Sequence, residues 1–248
     1  MKVIVGTQEE VVKKAAQRYV KLLNEKPEAV LGLATGSTPL GLYAELARLC
    51  AAGELSFAKC TTFNLDEYIG LDGTHDQSYR YFMNKNLFEK VDVRMEATHV
   101  PSGAVKSDEE AEQYDAQIKA AGGIDLQLLG IGNNGHIGFN EPLTPFTSMT
   151  HIVKLTDSTR EANKRFFASI DEVPTHAVTM GIHTVMQSKS IILMAFGEGK
   201  AEIIKQTVEG RPSISPPLCC SCTRTSRSTW TRPPRASCRK YQSKPGRG

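Results

Sequence analysis

Three short stretches of the 248-residue chain hold side chains able to act on one substrate. In Asn64-Leu65-Asp66-Glu67-Tyr68 two carboxylates stand side by side directly after a predicted strand. Adjacent carboxylates are costly to bury, so one is a candidate general base and the other is expected to turn to scaffold or solvent. The plainer reading is that Asp66 caps a turn or a helix. In the glycine-dense stretch from Gly130 to Pro142, His136 and Glu141 lie five residues apart. A turn would bring them together, and a carboxylate there fixes the tautomer of an imidazole and raises its basicity. A lone histidine is more often structural; this one has company suited to proton transfer. In Thr35-Gly36-Ser37-Thr38-Pro39 the glycine allows close backbone approach, the hydroxyls donate, and the free amides of a helix start attract an anion. An ordinary strand-to-helix turn with a Ser/Thr cap is the plainer alternative. The pattern is neither a P-loop nor a dinucleotide-binding glycine loop.

Two basic residues stand near such loops. Arg165 follows Arg160 and Lys164 on a predicted helix, and Lys200 follows Gly197-Glu198-Gly199 at the start of another. Arginine offers a planar fork to phosphate and lysine a compact charge, although each taken singly reads as a solvated surface group. His136 belongs to no HExxH arrangement, and no second histidine or cysteine cluster completes a zinc set around it, so no metal is expected there.

The elements that must position these residues follow from periodicity. Val11, Val12, Ala15, Ala16, Tyr19, Leu22 and Leu23 recur at helical spacing within a predicted helix over 8–24, after a short strand predicted at 2–5. Ala29–Ala34 is a near-continuous apolar run, as expected of a strand covered on both faces. Pro39 then suits a first helical turn. Further strands are predicted at 61–65, 124–131, 151–155, 177–180 and 190–196. Helices are predicted at 76–88, 158–168, 182–187 and 198–209, with another from a Ser107–Glu110 capping box to Gly122. Strands alternating with helical segments define an α/β fold, an open and mainly parallel Rossmann-like sheet with helices on both faces. Such sheets bind ligands beyond the carboxyl ends of their strands, where all three stretches fall.

Composition divides the chain at residue 210. Residues 211–248 hold nine Arg or Lys and no acid, so 1–210 carries 21 basic and 27 acidic groups. The basic balance of the whole chain is therefore no nucleic-acid signature of the body. Cys50 and Cys60 are scattered, as in a reduced cytoplasmic protein, and no apolar run is long enough for a membrane span.

The loops, in this order, resemble the glucosamine-6-phosphate deaminase family, within the wider group of sugar-phosphate isomerase and lactonase folds. The resemblance rests on LGLATGSTP at 31–39, FNLDEY at 63–68, LLGIGNNGHIGFNEP at 128–142, TREANKRFF at 159–167 and TMGI at 179–182, and runs over roughly residues 1–210. It implies isomerising deamination of glucosamine 6-phosphate to fructose 6-phosphate and ammonia, without metal or organic cofactor. It implies Asp66 as the base at C2, His136 as the acid–base group at the ring oxygen, and Glu141 holding and polarising that histidine. Gly36, Ser37, Thr38, Arg165 and Lys200 are implied as the phosphate clamp. Asn134 stands where some members carry Asp, so it is a supporting residue that orients without sharing charge. Thr150-His151-Ile152-Val153 lies where some members carry a basic pair for an allosteric activator, which points to an unregulated monomer or homo-oligomer. The implied partner is a small sugar phosphate, with neither membrane nor nucleic acid.

The segment 211–248 carries seven Ser, six Pro and Cys219, Cys220, Cys222 and Cys238, with almost no aliphatics. Disorder is its physical default. Nucleic-acid binding and metal binding by the cysteines are two readings. The favoured one is translation in another frame, replacing the family's closing strand and helix. The domains are thus 1–210, a sugar-phosphate deaminase/isomerase unit, and 211–248, a basic tail. The competing functions are a related sugar-phosphate lactonase or isomerase, and a basic-tailed nucleic-acid-binding protein.

Overall fold

The computed structural model describes residues 1–164 and 167–210. Arg165 and the segment 211–248, with what was expected of them, lie outside the described residues. In chain order the first elements are α1 (Gln8–Glu25), β1 (Val30–Leu33), α2 (Leu40–Ala51), β2 (Thr61–Asn64) and β3 (Asp66–Tyr68). Then come α3 (Tyr79–Asn86), β4 (Thr98–His99), α4 (Asp108–Ala111), α5 (Gln113–Ala120) and β5 (Leu126–Leu129). The last are β6 (His151–Lys154), α6 (Asp157–Asn163), β7 (His176–Thr179), α7 (Ile182–Met186), β8 (Ile191–Leu193) and α8 (Ala201–Glu209).

Five strands form one sheet in the order β4-β2-β1-β5-β8, every neighbouring pair parallel. From β1 the chain moves outward through β2 to β4, then returns to the other side of β1 for β5 and β8. The crevice between the exits of β1 and β5 is therefore the topological switch point, where such sheets take ligands. β1 is buried along its whole length, which explains why its sequence is apolar without alternation. Gly32 is needed in its middle. A Cβ there would lie 2.0 Å from Gln127 Oε1 on the paired strand, and Gln127 is itself fully buried.

Local chemistry sets the flanking helices. Thr7 and Glu10 close a reciprocal capping box at the start of α1, satisfying orphan amides at that end. The stripe Val12, Ala15, Ala16, Tyr19 and Leu23 is buried, and a Cβ on Gly41 of α2 would touch Val12 at 3.3 Å. Each large side chain so buried contributes about 1.5–3 kcal/mol. At the base of the sheet Asp125 accepts the Val30 amide at 2.8 Å together with Lys26 and Lys189, pinning the entry of β1 to that of β5.

The structure departs from the sequence expectations in four places. Residues 2–5 form no strand: no described residue pairs with them, and Val5 is 92% exposed. Branched residues favour a strand only where a ladder partner exists. A second sheet, antiparallel in the order β3-β7-β6, interrupts the parallel pattern. The helix expected over 76–88 is confined to α3, because Ser78 caps it by accepting the Tyr81 amide. Ser107 likewise accepts the Glu110 amide, but Glu110 turns back to the amide of Lys106 rather than Ser107, and the helix is divided at Glu112.

Gly32→Ala is expected to lower thermal stability by about 1–3 kcal/mol through overpacking against Gln127, measured by thermal or urea denaturation. A melt unchanged from wild type would mean that the crowding is relieved at no cost.

Candidate active site

The exits of β1, β2, β5 and β8 all point to one edge, so the loops after them share a crevice. The exit of β1 is held by Tyr43, fully buried on α2. Its hydroxyl donates to Ala34 O at 2.5 Å and accepts the Ala34 amide at 3.2 Å. The loop that follows turns at Gly36, whose φ of 91° favours glycine. The amides of Gly36, Ser37 and Thr38 donate to no acceptor among the described residues, and Ser37 is exposed. These amides and hydroxyls at the start of α2 are free for an anion.

At the exit of β2 the two neighbouring carboxylates have opposite surroundings. Glu67 accepts the amides of Tyr68, Tyr79 and Arg80 at 2.8, 2.9 and 3.0 Å, so it caps the start of α3. Burial raises its pKa against the pull of those amides. Asp66 is 6% exposed and its carboxylate has no hydrogen-bond partner among the described residues. Burial, and after it the charge of Glu67, pushes Asp66 up to about 8. Of the pair, Glu67 is bound into the scaffold and Asp66 is the carboxylate left unpartnered among the described residues.

The loop after β5 meets both ends of the site. Ile137 and Asn140 exchange backbone hydrogen bonds at 3.2 and 3.0 Å around the turn Gly138-Phe139. Gly138 has φ 59°, and a Cβ on it would lie 3.2 Å from Asp66 Oδ2, so only a glycine lets the loop close on the base. Gly132 has the same role under His136. A Cβ there would stand 2.3–2.5 Å from three atoms of the imidazole ring. His136 Nδ1 is buried without a partner among the described residues. Burial lowers the pKa of His136, with Glu141 pulling it up and Lys200 pressing it further down. The ring is therefore neutral at physiological pH.

Glu141 does not hydrogen-bond the histidine ring as expected. Asn134 stands between them: its Nδ2 donates to Glu141 Oε2 at 2.6 Å, while its Oδ1 accepts the His136 amide at 3.2 Å. The short side-chain amide satisfies a donor and an acceptor at once, so the carboxylate acts on the ring through space. Thr159 of α6 adds a 3.4 Å contact to Glu141 Oε1. Lys200, on the turn that opens after Gly197, donates to Ile131 O at 2.7 Å and is partly buried, which lowers its pKa. It thus borders the His136 loop from the β8 side.

The structure brings together Asp66, the His136 loop with Asn134 and Glu141, and Lys200, and it sets Gly36, Ser37 and Thr38 at the same strand edge. Sequence reasoning did not single out Gly132, Gly138, Tyr43, Thr159 or Thr179. Glycine density signalled the first two only as a group. Nothing in residue type marks the others.

Fold and site define an α/β enzyme with titratable side chains and a glycine-hydroxyl loop at one edge of a parallel sheet, beside its switch point. The chain belongs to the family described as glucosamine-6-phosphate isomerases/6-phosphogluconolactonase, which matches residues 6–230. That match runs twenty residues past position 210. The chain is 51% identical over 219 residues to a glucosamine-6-phosphate deaminase of Thermoanaerobacter sp., covering 88% of this chain and 87% of the relative. It is 52% identical over 210 residues to one from Clostridium perfringens, covering 84% and 87%. Among solved structures, a monomeric glucosamine-6-phosphate deaminase superposes with TM-score 0.84 at 46% identity, covering 89% of this chain and 92% of that one. The 6-phosphogluconolactonase of Thermotoga maritima shares the fold, at TM-score 0.67 and 21% identity.

A buried carboxylate whose pKa is raised on folding favours the folded state fully below about 4, and that contribution is lost as pH rises through about 8. Asp66→Asn removes the loss. Its melting temperature is expected to exceed wild type by roughly 10–20 °C at pH 8, with the difference closing toward pH 4. A pH-independent difference would remove the assignment of Asp66 as a desolvated carboxylate.

Proposed function

We infer that the chain catalyses the isomerising deamination of glucosamine 6-phosphate to fructose 6-phosphate and ammonia. The observation that carries this is the unpartnered, desolvated Asp66 carboxylate closed over by the loop that bears His136. Removing a proton from carbon needs a base stronger than an ordinary carboxylate, and desolvation supplies one. Lactone hydrolysis, which activates water, has no such need. Half-identity to deaminases along nearly the whole chain supports the same choice.

In this reading the phosphate sits on Gly36, Ser37 and Thr38 at the start of α2, with Lys200 and Arg165 as its cations, and its binding energy orients C1 and C2 over Asp66. Neutral His136, backed by Asn134 and Glu141, takes the anomeric hydroxyl proton and delivers it to the ring oxygen as the C1–O bond breaks. Asp66 then takes the C2 proton. The C–H pair forms the C1–C2 double bond, and the carbonyl pair becomes an O–H bond as the oxygen takes a proton from the substrate's own C2 ammonium, leaving a neutral enolamine. Return of the proton to C1 leaves an iminium at C2, which water hydrolyses to the ketone with release of ammonia. No step calls on a cofactor.

We assign this chemistry to residues 1–210, the sugar-phosphate deaminase/isomerase unit, and place the enzyme in the cytoplasm. Free Cys50 and Cys60 and the lack of a membrane-spanning helix among the described residues support that placement. One chain supplies every described site residue, so we propose a monomeric catalytic unit, like the solved monomeric glucosamine-6-phosphate deaminase. Turnover per chain is expected to be independent of protein concentration, with a monomer in sedimentation; activity falling on dilution would reject this.

The decisive assay measures ammonia release from glucosamine 6-phosphate, on this chain and on 1–210 closed by an in-frame strand and helix. Asp66→Asn is expected to lower turnover about 10²–10⁴-fold while sparing phosphate-dependent binding. In the wild-type enzyme kcat/KM should rise with pH through about 8 as Asp66 ionises. Lactone turnover without ammonia, or nucleic-acid affinity lost with residues 211–248, would favour the competing functions.

A further inference from the structure

We infer that Thr179 is a positioning residue for the base, fixing through its hydroxyl the turn that closes on Asp66. The inference rests on Asp66 being that base. Thr179 ends β7, is fully buried, and is paired in register with Asp66 across the β3–β7 ribbon, so the two side chains share a face. Its Oγ1 accepts the Phe139 amide at 3.2 Å. A Cβ on Gly138 would meet Thr179 Oγ1 at 2.9 Å and Asp66 Oδ2 at 3.2 Å, so both oxygens press on the same point of the turn.

The next two residues complete a bracket. The Met180 amide donates to Leu65 O at 2.6 Å, and Met180 O accepts from Asn140 Nδ2 at 2.9 Å. Gly181 has no room for a side chain, since a Cβ would lie 2.0 and 2.1 Å from the carbonyl oxygens of Ser148 and Met149. Residues 179–181 therefore tie the 139–140 turn to the 65–66 strand junction. Among the described residues the Asp66 carboxylate has no hydrogen bond to aim it, so its distance from C2 depends on how firmly this bracket holds the opposing wall. A fully buried hydroxyl cannot touch substrate; Thr179 acts through the turn. Valine would fill the same volume without accepting the Phe139 amide, so shape and hydrogen bonding are separable here.

The test uses the full chain with Thr179→Val, Thr179→Ala and Thr179→Ser, checked by thermal melting. Ammonia release is followed for glucosamine 6-phosphate and for the same substrate deuterated at C2. Val and Ala are expected to lower kcat roughly ten- to a hundredfold with KM within about twofold, because a small misplacement of reacting groups costs that much. The C2 isotope effect should rise in both, as proton removal becomes the slower step. Ser should restore kcat to within about threefold of wild type. The inference is overturned if Val keeps kcat and isotope effect unchanged, if Ser falls together with Val, or if both hydroxyl-free variants fail to fold while Ser is active. Asp66→Asn run alongside separates the premises. Near-normal turnover there removes the base and this inference with it, whereas an inactive Asp66→Asn beside an unimpaired Thr179→Val removes this inference alone.

Discussion

β1 lies in the middle of the core, where no water can satisfy its amides and carbonyls, so both of its edges must be paired by protein. Parallel pairing with β2 on one side and β5 on the other does this, over Val30–Leu33 against Thr61–Asn64 and over Leu31–Gly32 against Leu126–Gln127. Parallel strands need long crossovers, and these place α2 and the later helices outside the sheet. The same pairing sends every strand exit to one edge. The 35–39 loop, Asp66 and the His136 loop, far apart in sequence, then share that edge without any further device. The switch between β1 and β5 opens the gap into which a ligand fits.

Within that gap the local problem is to keep one carboxylate ionisable but poorly solvated. The chain solves it by giving adjacent residues unequal shares of the available donors. Glu67 takes three amides, two of them at the start of α3, and the Asp66 carboxylate takes none among the described residues. Because successive residues of a strand face opposite ways, neighbouring carboxylates can be sorted to scaffold and cavity without any change of residue type. The neighbouring negative charge then raises the affinity of Asp66 for a proton. The stability lost by burying Asp66 is the counterpart of its strength as a base, as is usual at sites built for proton transfer.

Much of this was legible in residue order. Apolar runs ending in glycine or polar loops marked β1, β2 and β5, and the residues after them proved to line one edge. The ribbon β3-β7-β6 was less readable, because strands of three or four residues carry too little alternation to reveal antiparallel partners. Residues 2–5 have strand composition but no described partner, and pairing rather than composition decides a strand. The histidine relay was misread for a geometric reason. Spacing brings Glu141 near His136, but whether a ring or a side-chain amide meets the carboxylate depends on the turn between them, and Asn134 occupies that path. Gly132 and Gly138 are intelligible only once their neighbours are known. Each is a gap shaped by a functional group on another part of the chain.

Charge places a final constraint on the site. The body carries more acids than bases, 27 against 21, while the substrate is itself an anion. Long-range attraction cannot gather such a ligand, so its affinity has to be local. Free amides at the start of α2 supply partial positive charge that cannot be titrated away, and Lys200 adds a full charge at the far side of the β5 loop. The position of Lys200 also bears on the histidine, since its field opposes that of Glu141 and helps keep the imidazole neutral. One cation thus adds positive charge to this edge of the sheet and at the same time disfavours a second positive charge on the His136 ring.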